Sequence, residues 1–368
     1  MSRSQAAQIL YSQGKFKEAA EEQRKFIEEL PEVHDDKADA WTFLGVIEFS
    51  LKQFGNAVAA FEQACALKPQ DANLRENLGA TCCMAGRPDK AFEVMKRNLD
   101  EGAITPNLLD GLAEACFKLE RWNDARRYGN LALSLKDALS PERPHGLPEK
   151  AKPAFDHSRP ERNIIAFSLW GSDPRYVKNA LHNVRALPYV YPGWTCRFYV
   201  DDSVPQEAVN EFLKRGAQVV RMNRNQSFQG LFWRFHAAND ANADYFLCRD
   251  ADSILNIRER CAVDEWLASD KLFHVMRDHL SHSEIMLAGM WGGVCGLLPE
   301  MGQFIGAYKP VATPTKHIDQ WFLRTEVWPI IRHSVMIHDS HYDLPGTRRF
   351  PEVGVLAPGW HVGVSPQP

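Results

Sequence analysis

Ala243-Asp244-Tyr245-Phe246-Leu247-Cys248-Arg249-Asp250-Ala251-Asp252-Ser253 is the stretch on which the reading of this chain turns. An apolar run of strand length, Tyr245 to Cys248, gives way to two carboxylates one residue apart. Side chains on an extended backbone alternate faces, so Asp250 and Asp252 point one way and Ala251 the other. Two carboxylates on one side of a strand end, where a sheet opens to solvent, make a hard-oxygen site suited to Mg²⁺ or Mn²⁺. Asp and Ser are also ordinary turn residues, so a polar strand-to-turn transition is the competing reading. The surroundings decide between the two.

Upstream, strands and helices alternate. Ile164 to Gly171 is a buried-strand run closed by glycine. Asp173-Pro174 opens a helix through Leu187, with Asp173 a good N-cap and Pro174 suited to the first helical position. Thr195 to Val200 is a second strand, ending in Asp201-Asp202-Ser203, and Pro205 to Arg215 a helix stopped by Gly216. A third strand spans Gln218 to Met222, and an aromatic-rich helical segment, Gln229 to Ala241, leads into the Tyr245 strand. Such alternation implies a mostly parallel sheet flanked by helices, an α/β domain that takes ligands at the carboxyl ends of its strands. Gly171, Asp201-Asp202 and Asp250-Ala251-Asp252 all fall at such ends, which favours the metal and phosphate reading.

The whole chain is 368 residues long, enough for two domains. Its net charge of -4 gives no footprint for nucleic acid or anionic lipid. The first residues hold no apolar core of signal-peptide length, and no later run is long enough to span a bilayer. Eight scattered cysteines form no Cys-x-x-Cys pair, which argues against zinc ribbons and disulfide frameworks. The expectation is a soluble cytoplasmic protein.

Between residues 38 and 139 the sequence repeats. Trp41, Leu44, Gly45, Phe54, Ala57, Phe61, Ala64 and Pro69 recur 34 residues on as Leu78, Gly79, Pro88, Ala91, Met95 and Asn98. They recur again as Leu112, Ala113, Trp122, Ala125, Gly129 and Ala132, and an earlier copy holds Gly14, Phe16, Ala19, Phe26 and Pro31. The pattern resembles tetratricopeptide repeats (TPR) over residues 1–139, about four of them, in which small residues let paired helices approach and large ones fill the gaps. Such arrays present a surface to a protein partner, or simply cap or dimerise a neighbouring domain. Residues 140–162, rich in proline, read as a semi-rigid linker, and residues 163–368 as the α/β domain.

From Asn163 to Gly363 the chain resembles the nucleotide-sugar glycosyltransferases of GT-A fold. The likeness rests on the first strand, the Val200-Asp201-Asp202 end of the second, Phe232-Trp233-Arg234-Phe235 ahead of Asp250-Ala251-Asp252, and Asp319-Gln320-Trp321-Phe322-Leu323. It implies that Asp250 and Asp252 hold Mn²⁺ or Mg²⁺ against the diphosphate of a sugar donor, a UDP-sugar ahead of a GDP-sugar. A histidine near the C-terminus then completes the shell, His338 first and His361 next. Asp201 and Asp202 would contact base or ribose, or else cap the helix at Pro205. Arg234 suits a phosphate, or a surface pairing with Asp240 or Asp244. Trp291, within the glycine-rich turn Leu287-Ala288-Gly289-Met290-Trp291-Gly292-Gly293, would stack on a sugar or sit in the core. Gln320 lies on the donor side, and Asp319, with Asp278 as its rival, is the carboxylate that takes the acceptor proton.

The resulting expectation is a metal-dependent hexosyltransferase that moves a sugar to a hydroxyl of a glycan, lipid-linked saccharide or protein, with the repeats recruiting acceptor or partner. The alternative is a TPR scaffold whose transferase-like domain is inactive. A nucleotidyltransferase ranks behind both, because Trp170-Gly171-Ser172-Asp173-Pro174 is not the glycine-rich loop those enzymes carry.

Overall fold

The computed structural model describes residues 3–31, 34–142, 147–223, 228–310, 315–353, 357 and 359–365. The chain divides into two units, Met1–Leu135 and Lys136–Pro368.

Helices build the first unit, in consecutive pairs over its first three hairpins: α1 (Arg3–Ser12) with α2 (Phe16–Glu29), α3 (Lys37–Ser50) with α4 (Phe54–Leu67), and α5 (Ala72–Met84) with α6 (Pro88–Asp100); α7 (Pro106–Lys118) packs on α6, and α8 (Trp122–Ala138) follows. Pro88 and Pro106 stand where a missing N–H costs nothing. Asp71 accepts from the amides of Asn73 and Leu74, and Thr105 from Leu108, which satisfies the opening N–H groups of α5 and α7. Within pairs the repeat glycines make room. A methyl on Gly45 would lie 2.8 Å from the Phe61 ring, and one on Gly79 would lie 2.8 Å from Met95 Sδ. Each glycine therefore serves as the hole for the large residue one helix later.

The second unit is built on one eight-stranded sheet. Its strands are β1 (Asn163–Leu169), β2 (Thr195–Val200), β3 (Gln218–Arg221), β4 (Tyr245–Asp250), β5 (Phe273–Arg277), β6 (Trp291–Val294), β7 (Val335–Asp339) and β8 (Thr347–Arg348). They lie in the order β3-β2-β1-β4-β6-β5-β7-β8. β6 is antiparallel to both neighbours, and every other adjacent pair is parallel. The mostly parallel sheet expected upstream of Cys248 thus continues beyond it, interrupted by one reversed strand.

From β1 the chain winds outward through α9 (Pro174–Val190), β2, α10 (Gln206–Lys214) and β3. It then returns through a 3₁₀ segment, Gln229–Asn239, to lay β4 on the opposite side of β1. The gap between β1 and β4 is therefore a topological switch point, where the connections leave in opposite directions and a crevice opens at the carboxyl ends. α11 (Ile257–Leu267), α12 (Met301–Ala307) and α13 (Ile318–Phe322) follow. Stacked rings fill one layer of the core, Phe167 on Phe198 at 4.9 Å between centroids and Phe198 on Phe212 at 4.2 Å.

Part of the stretch read as a linker is fixed within the second unit. Lys150 Nζ donates to the Cys295 carbonyl at 2.7 Å, and Lys152 Nζ to those of Trp266 at 2.6 Å and Ser269 at 3.0 Å. The Tyr245 hydroxyl donates to the Pro153 carbonyl. No helix among the described residues is long and apolar enough to cross a membrane.

Candidate functional site

At the switch point a cleft of about 850 Å³ opens over the ends of β1 and β4. Register places Ser168 beside Asp250 across the two strands, and both residues line the cleft. β4 runs extended as far as Asp250, then turns, with the Ser253 amide donating to the Asp250 carbonyl at 3.1 Å. Asp252 is carried on that turn and also faces the cleft.

The 3₁₀ segment crosses above both strands. The Arg234 amide donates to Ser168 Oγ at 3.0 Å, which pins the segment to β1. The Arg234 guanidinium then reaches between two carboxylates, Nη1 donating to Asp250 Oδ1 at 2.6 Å and Nη2 to Asp319 Oδ2 at 3.0 Å. Asp319 stands at the start of α13, and its other oxygen accepts from the Gln320 amide at 2.9 Å. The Arg234 and Asp319 side chains are 5% and 4% exposed, whereas that of Asp250 is 45% exposed. One buried cation is shared by an inner and an outer carboxylate. Burial pushes the Asp319 carboxyl up to about 6, with the Asp250 charge adding to the shift and Arg234 opposing it.

Asp252 has its own counter-ion. Arg175, in the first turn of α9, donates from Nη2 to Asp252 Oδ2 at 2.6 Å. Burial first, and the Asp250 charge second, push the Asp252 carboxyl up. Tyr176, Lys316, His317 and Gln320 also line the cleft.

The donor set at the floor is two carboxylates, each with one oxygen already on a guanidinium. Gly289 lies flush against Asp250: a methyl there would stand 2.5 Å from the carboxyl carbon and closer still to Oδ2. Among the described residues no group of three or more His, Cys, Asp or Glu side chains is placed to hold a metal ion. This all-oxygen pair does not suit a structural Zn²⁺, which prefers nitrogen and sulfur ligands in a closed shell. It suits Mg²⁺ or Mn²⁺, ions commonly held by one or two carboxylates with water and phosphate oxygens completing the shell.

Asp250, Asp252, Arg234, Asp319 and Gln320, all singled out in the sequence, meet at this cleft. Arg234 is neither surface-exposed nor paired with Asp240 or Asp244, which bind Arg197 and Arg162 instead. The other expected residues lie elsewhere. Trp291 is fully buried in β6, its ring packed edge-on against Phe235 and Phe246, so it cannot stack on a sugar. The glycines beside it are strand residues rather than a turn, since a methyl on Gly292 would stand 2.6 Å from the Leu247 side chain.

His338 sits inside β7, its ring bonded to His274 at 2.8 Å and to Glu265 at 3.0 Å, so both of its nitrogens are occupied away from the cleft. Asp278 is held by Arg258 through two contacts of 3.1 Å and by the Val362 amide at 2.8 Å, and it does not line the cleft. Asp201 accepts from the Ser203 amide at 3.0 Å, folding the turn after β2, and Asp202 is fully exposed. Neither lines the cleft, and neither bonds the opening amides of α10, whose N-cap is Pro205. His361 packs against His279 and His282, with ring centroids 4.6 and 5.1 Å away.

Arg175, Tyr176, Gly289, Lys316 and His317 went unrecognised in the sequence. Arg175 carried a usable signal: it follows the Asp173-Pro174 helix start, directly beyond a strand whose carboxyl end forms the rim. Lys316 and His317 stand immediately ahead of Ile318-Asp319-Gln320.

Residues 5–72 match the tetratricopeptide repeat family. The first unit carries TPR repeats. No curated protein sequence matches the chain. Among solved structures, an O-GlcNAc transferase variant of Thermobaculum terrenum is similar at 15% identity and a TM-score of 0.39, over 60% of this chain and 40% of that one. MamA is similar at 20% identity and a TM-score of 0.33, over 37% of this chain and 77% of that one. A tetratricopeptide repeat protein from Parabacteroides merdae is similar at 16% identity and 0.34, over 36% and 52%. At such scores none of these bears on what the second unit does.

Proposed function

We propose that the second unit is a metal-dependent glycosyltransferase of the GT-A kind. It would move a hexosyl group from a nucleoside-diphosphate sugar to a hydroxyl of a glycan, lipid-linked saccharide or protein, while the TPR repeats recruit acceptor or partner. The observation that carries this reading is the pair Asp250 and Asp252 at the β1/β4 switch point, in a cleft that also holds Arg234, Asp319 and Lys316. Carboxylates for a divalent ion and cations for phosphate converge where an open sheet takes its ligands.

Asp250 and Asp252 would hold Mn²⁺ or Mg²⁺, which when bound neutralises charge building on the diphosphate leaving group. Arg234 fixes the orientation of Asp250 and holds Asp319 against the cleft wall. Asp319, oriented by Arg234 and the Gln320 amide, takes the proton of the acceptor hydroxyl. A carboxyl raised to about 6 is a better base at neutral pH than one near 4. The acceptor oxygen forms its bond to the anomeric carbon as the carbon–oxygen bond to the diphosphate breaks, and the electron pair leaves with the nucleoside diphosphate. Lys316 supplies positive charge on the cleft wall for that diphosphate.

The test is donor hydrolysis across UDP-, GDP- and CMP-sugars, with and without Mn²⁺, beside Asp252→Ala. Metal-dependent release of one nucleotide, lost in the variant, supports the transferase and names its donor. A scaffold with an inactive second unit is the other reading, consistent with a family match confined to the repeats. It is favoured if no sugar turns over and no nucleotide with Mn²⁺ raises the melting temperature.

A further inference from the structure

The two arginines that pair with the cleft carboxylates, Arg234 in the cleft lining and Arg175 beside Tyr176, differ in how firmly they are held. Arg234 is 5% exposed and clamped by two carboxylates. Arg175 is 47% exposed, makes one contact to Asp252 Oδ2, and donates from Nε to Ser365 Oγ at 3.0 Å. Its backbone is fixed, since its amide donates to Asp173 Oδ1 at 2.9 Å at the head of α9, and Tyr176 beside it lines the cleft. Only the side chain is free to swing. Asp252, in contrast, is 14% exposed. A mostly buried carboxylate is stabilised by a counter-ion, and an exposed single-point ion pair is a weak one.

We propose that Arg175 is an exchangeable counter-ion for Asp252. It neutralises the carboxylate while the donor is absent. When a nucleoside diphosphate arrives with its divalent cation, the cation takes Asp252 Oδ2 and the guanidinium turns to a phosphate oxygen. The exchange keeps charge balanced on both sides, because the cation released by one anion is recruited by the next. A planar guanidinium fork suits a diphosphate better than it suits one carboxylate oxygen. This assignment rests on the transferase reading and adds to it a donor-binding residue with two successive partners.

Competition of this kind has a signature that a structural arginine lacks, since removing Arg175 moves two affinities in opposite directions. The full-length chain and its Arg175→Gln and Arg175→Lys variants are titrated with Mn²⁺ alone, reading free Mn²⁺ by electron paramagnetic resonance. UDP, and GDP beside it, is then titrated calorimetrically at saturating Mn²⁺, and melting temperatures check the fold. Arg175→Gln is expected to bind Mn²⁺ alone several-fold more tightly and the nucleoside diphosphate at least tenfold more weakly. Arg175→Lys should return Mn²⁺ affinity towards wild type while recovering only part of the nucleotide affinity. Unchanged affinities in a wild-type protein that binds Mn²⁺ and nucleotide overturn the exchange and leave the transferase standing. Two affinities falling together assign Arg175 to structure and overturn it as well. A wild-type chain that binds neither Mn²⁺ nor either nucleotide overturns both readings.

Discussion

Gly289→Ala is the sharpest perturbation the cleft offers. The added methyl would stand 2.5 Å from the Asp250 carboxyl carbon, whereas ordinary carbon contacts begin at 3.4 Å. The Asp250 amide nitrogen, 2.9 Å from the same methyl, blocks relief by the β4 backbone. The half-exposed carboxylate therefore has to retreat by about 0.9 Å, the difference between those two carbon distances. A retreat of that size away from Arg234 would lengthen the Nη1 bond from 2.6 Å to about 3.5 Å, the limit of hydrogen bonding. A charge-assisted hydrogen bond lost in this way is worth about 1.5–3 kcal/mol, or roughly 10- to 100-fold in an equilibrium or rate. Misplacing a positioning group by about 1 Å costs a similar factor of roughly 100. Gly289→Ala is therefore expected to weaken Mn²⁺ binding and metal-dependent donor turnover by roughly 10- to 100-fold, with melting as the check on folding. Asp250→Asn, which keeps the shape and removes the charge, should do at least as much. Full Mn²⁺-dependent turnover in Gly289→Ala would refute the idea that the exact seat of Asp250 matters.

Further outcomes are expected. With Asp319 as base, turnover is full above about pH 6 and falls towards tenfold per unit below it, because the raised carboxyl becomes protonated; Asp319→Asn should flatten that limb of the profile. Arg277 and Asp339 pair at 2.5 Å with neither side chain exposed, so Asp339→Ala strands a buried cation. It should cost about 3–5 kcal/mol in denaturant unfolding, and a loss below about 1 kcal/mol would refute the pairing. Gly79→Ala drives a methyl into Met95 and should cost the first unit about 1–3 kcal/mol. Joined with Met95→Ala it should lose less than the two single losses added together.

The elements most legible in the sequence were those set by local chemistry. The repeats declared themselves because each small residue must recur opposite a large one, as Gly45 does against Phe61. The Asp173-Pro174 start appears in the structure because capping is decided within one turn. β4 and its carboxylates could be read because an apolar run stops where the sheet ends. What the sequence hid depends on partners far along the chain. His338 takes its bonds from residues 64 and 73 positions away, so no local pattern marks it as structural. Gly292 and Gly293 look like turn residues alone, but between β4 and β5 they make room for Leu247 and Phe273. Arg175 meets Asp252 across 77 residues, so its place after the Asp173-Pro174 start marks it as near the rim without naming its partner.

Dividing the chain at residue 163, where the proline-rich stretch gives way to β1, would cut away Lys150 and Lys152. The carbonyls of Cys295, Trp266 and Ser269 would then each lose a charged donor, and the Trp266 ring the ammonium resting 4.9 Å above it. Burial already lowers the Lys152 ammonium to about 8, so this fastening also loosens in mild alkali. The stretch is a clasp sewn to the loops of the second unit, and a scissile boundary that respects it lies ahead of Lys150.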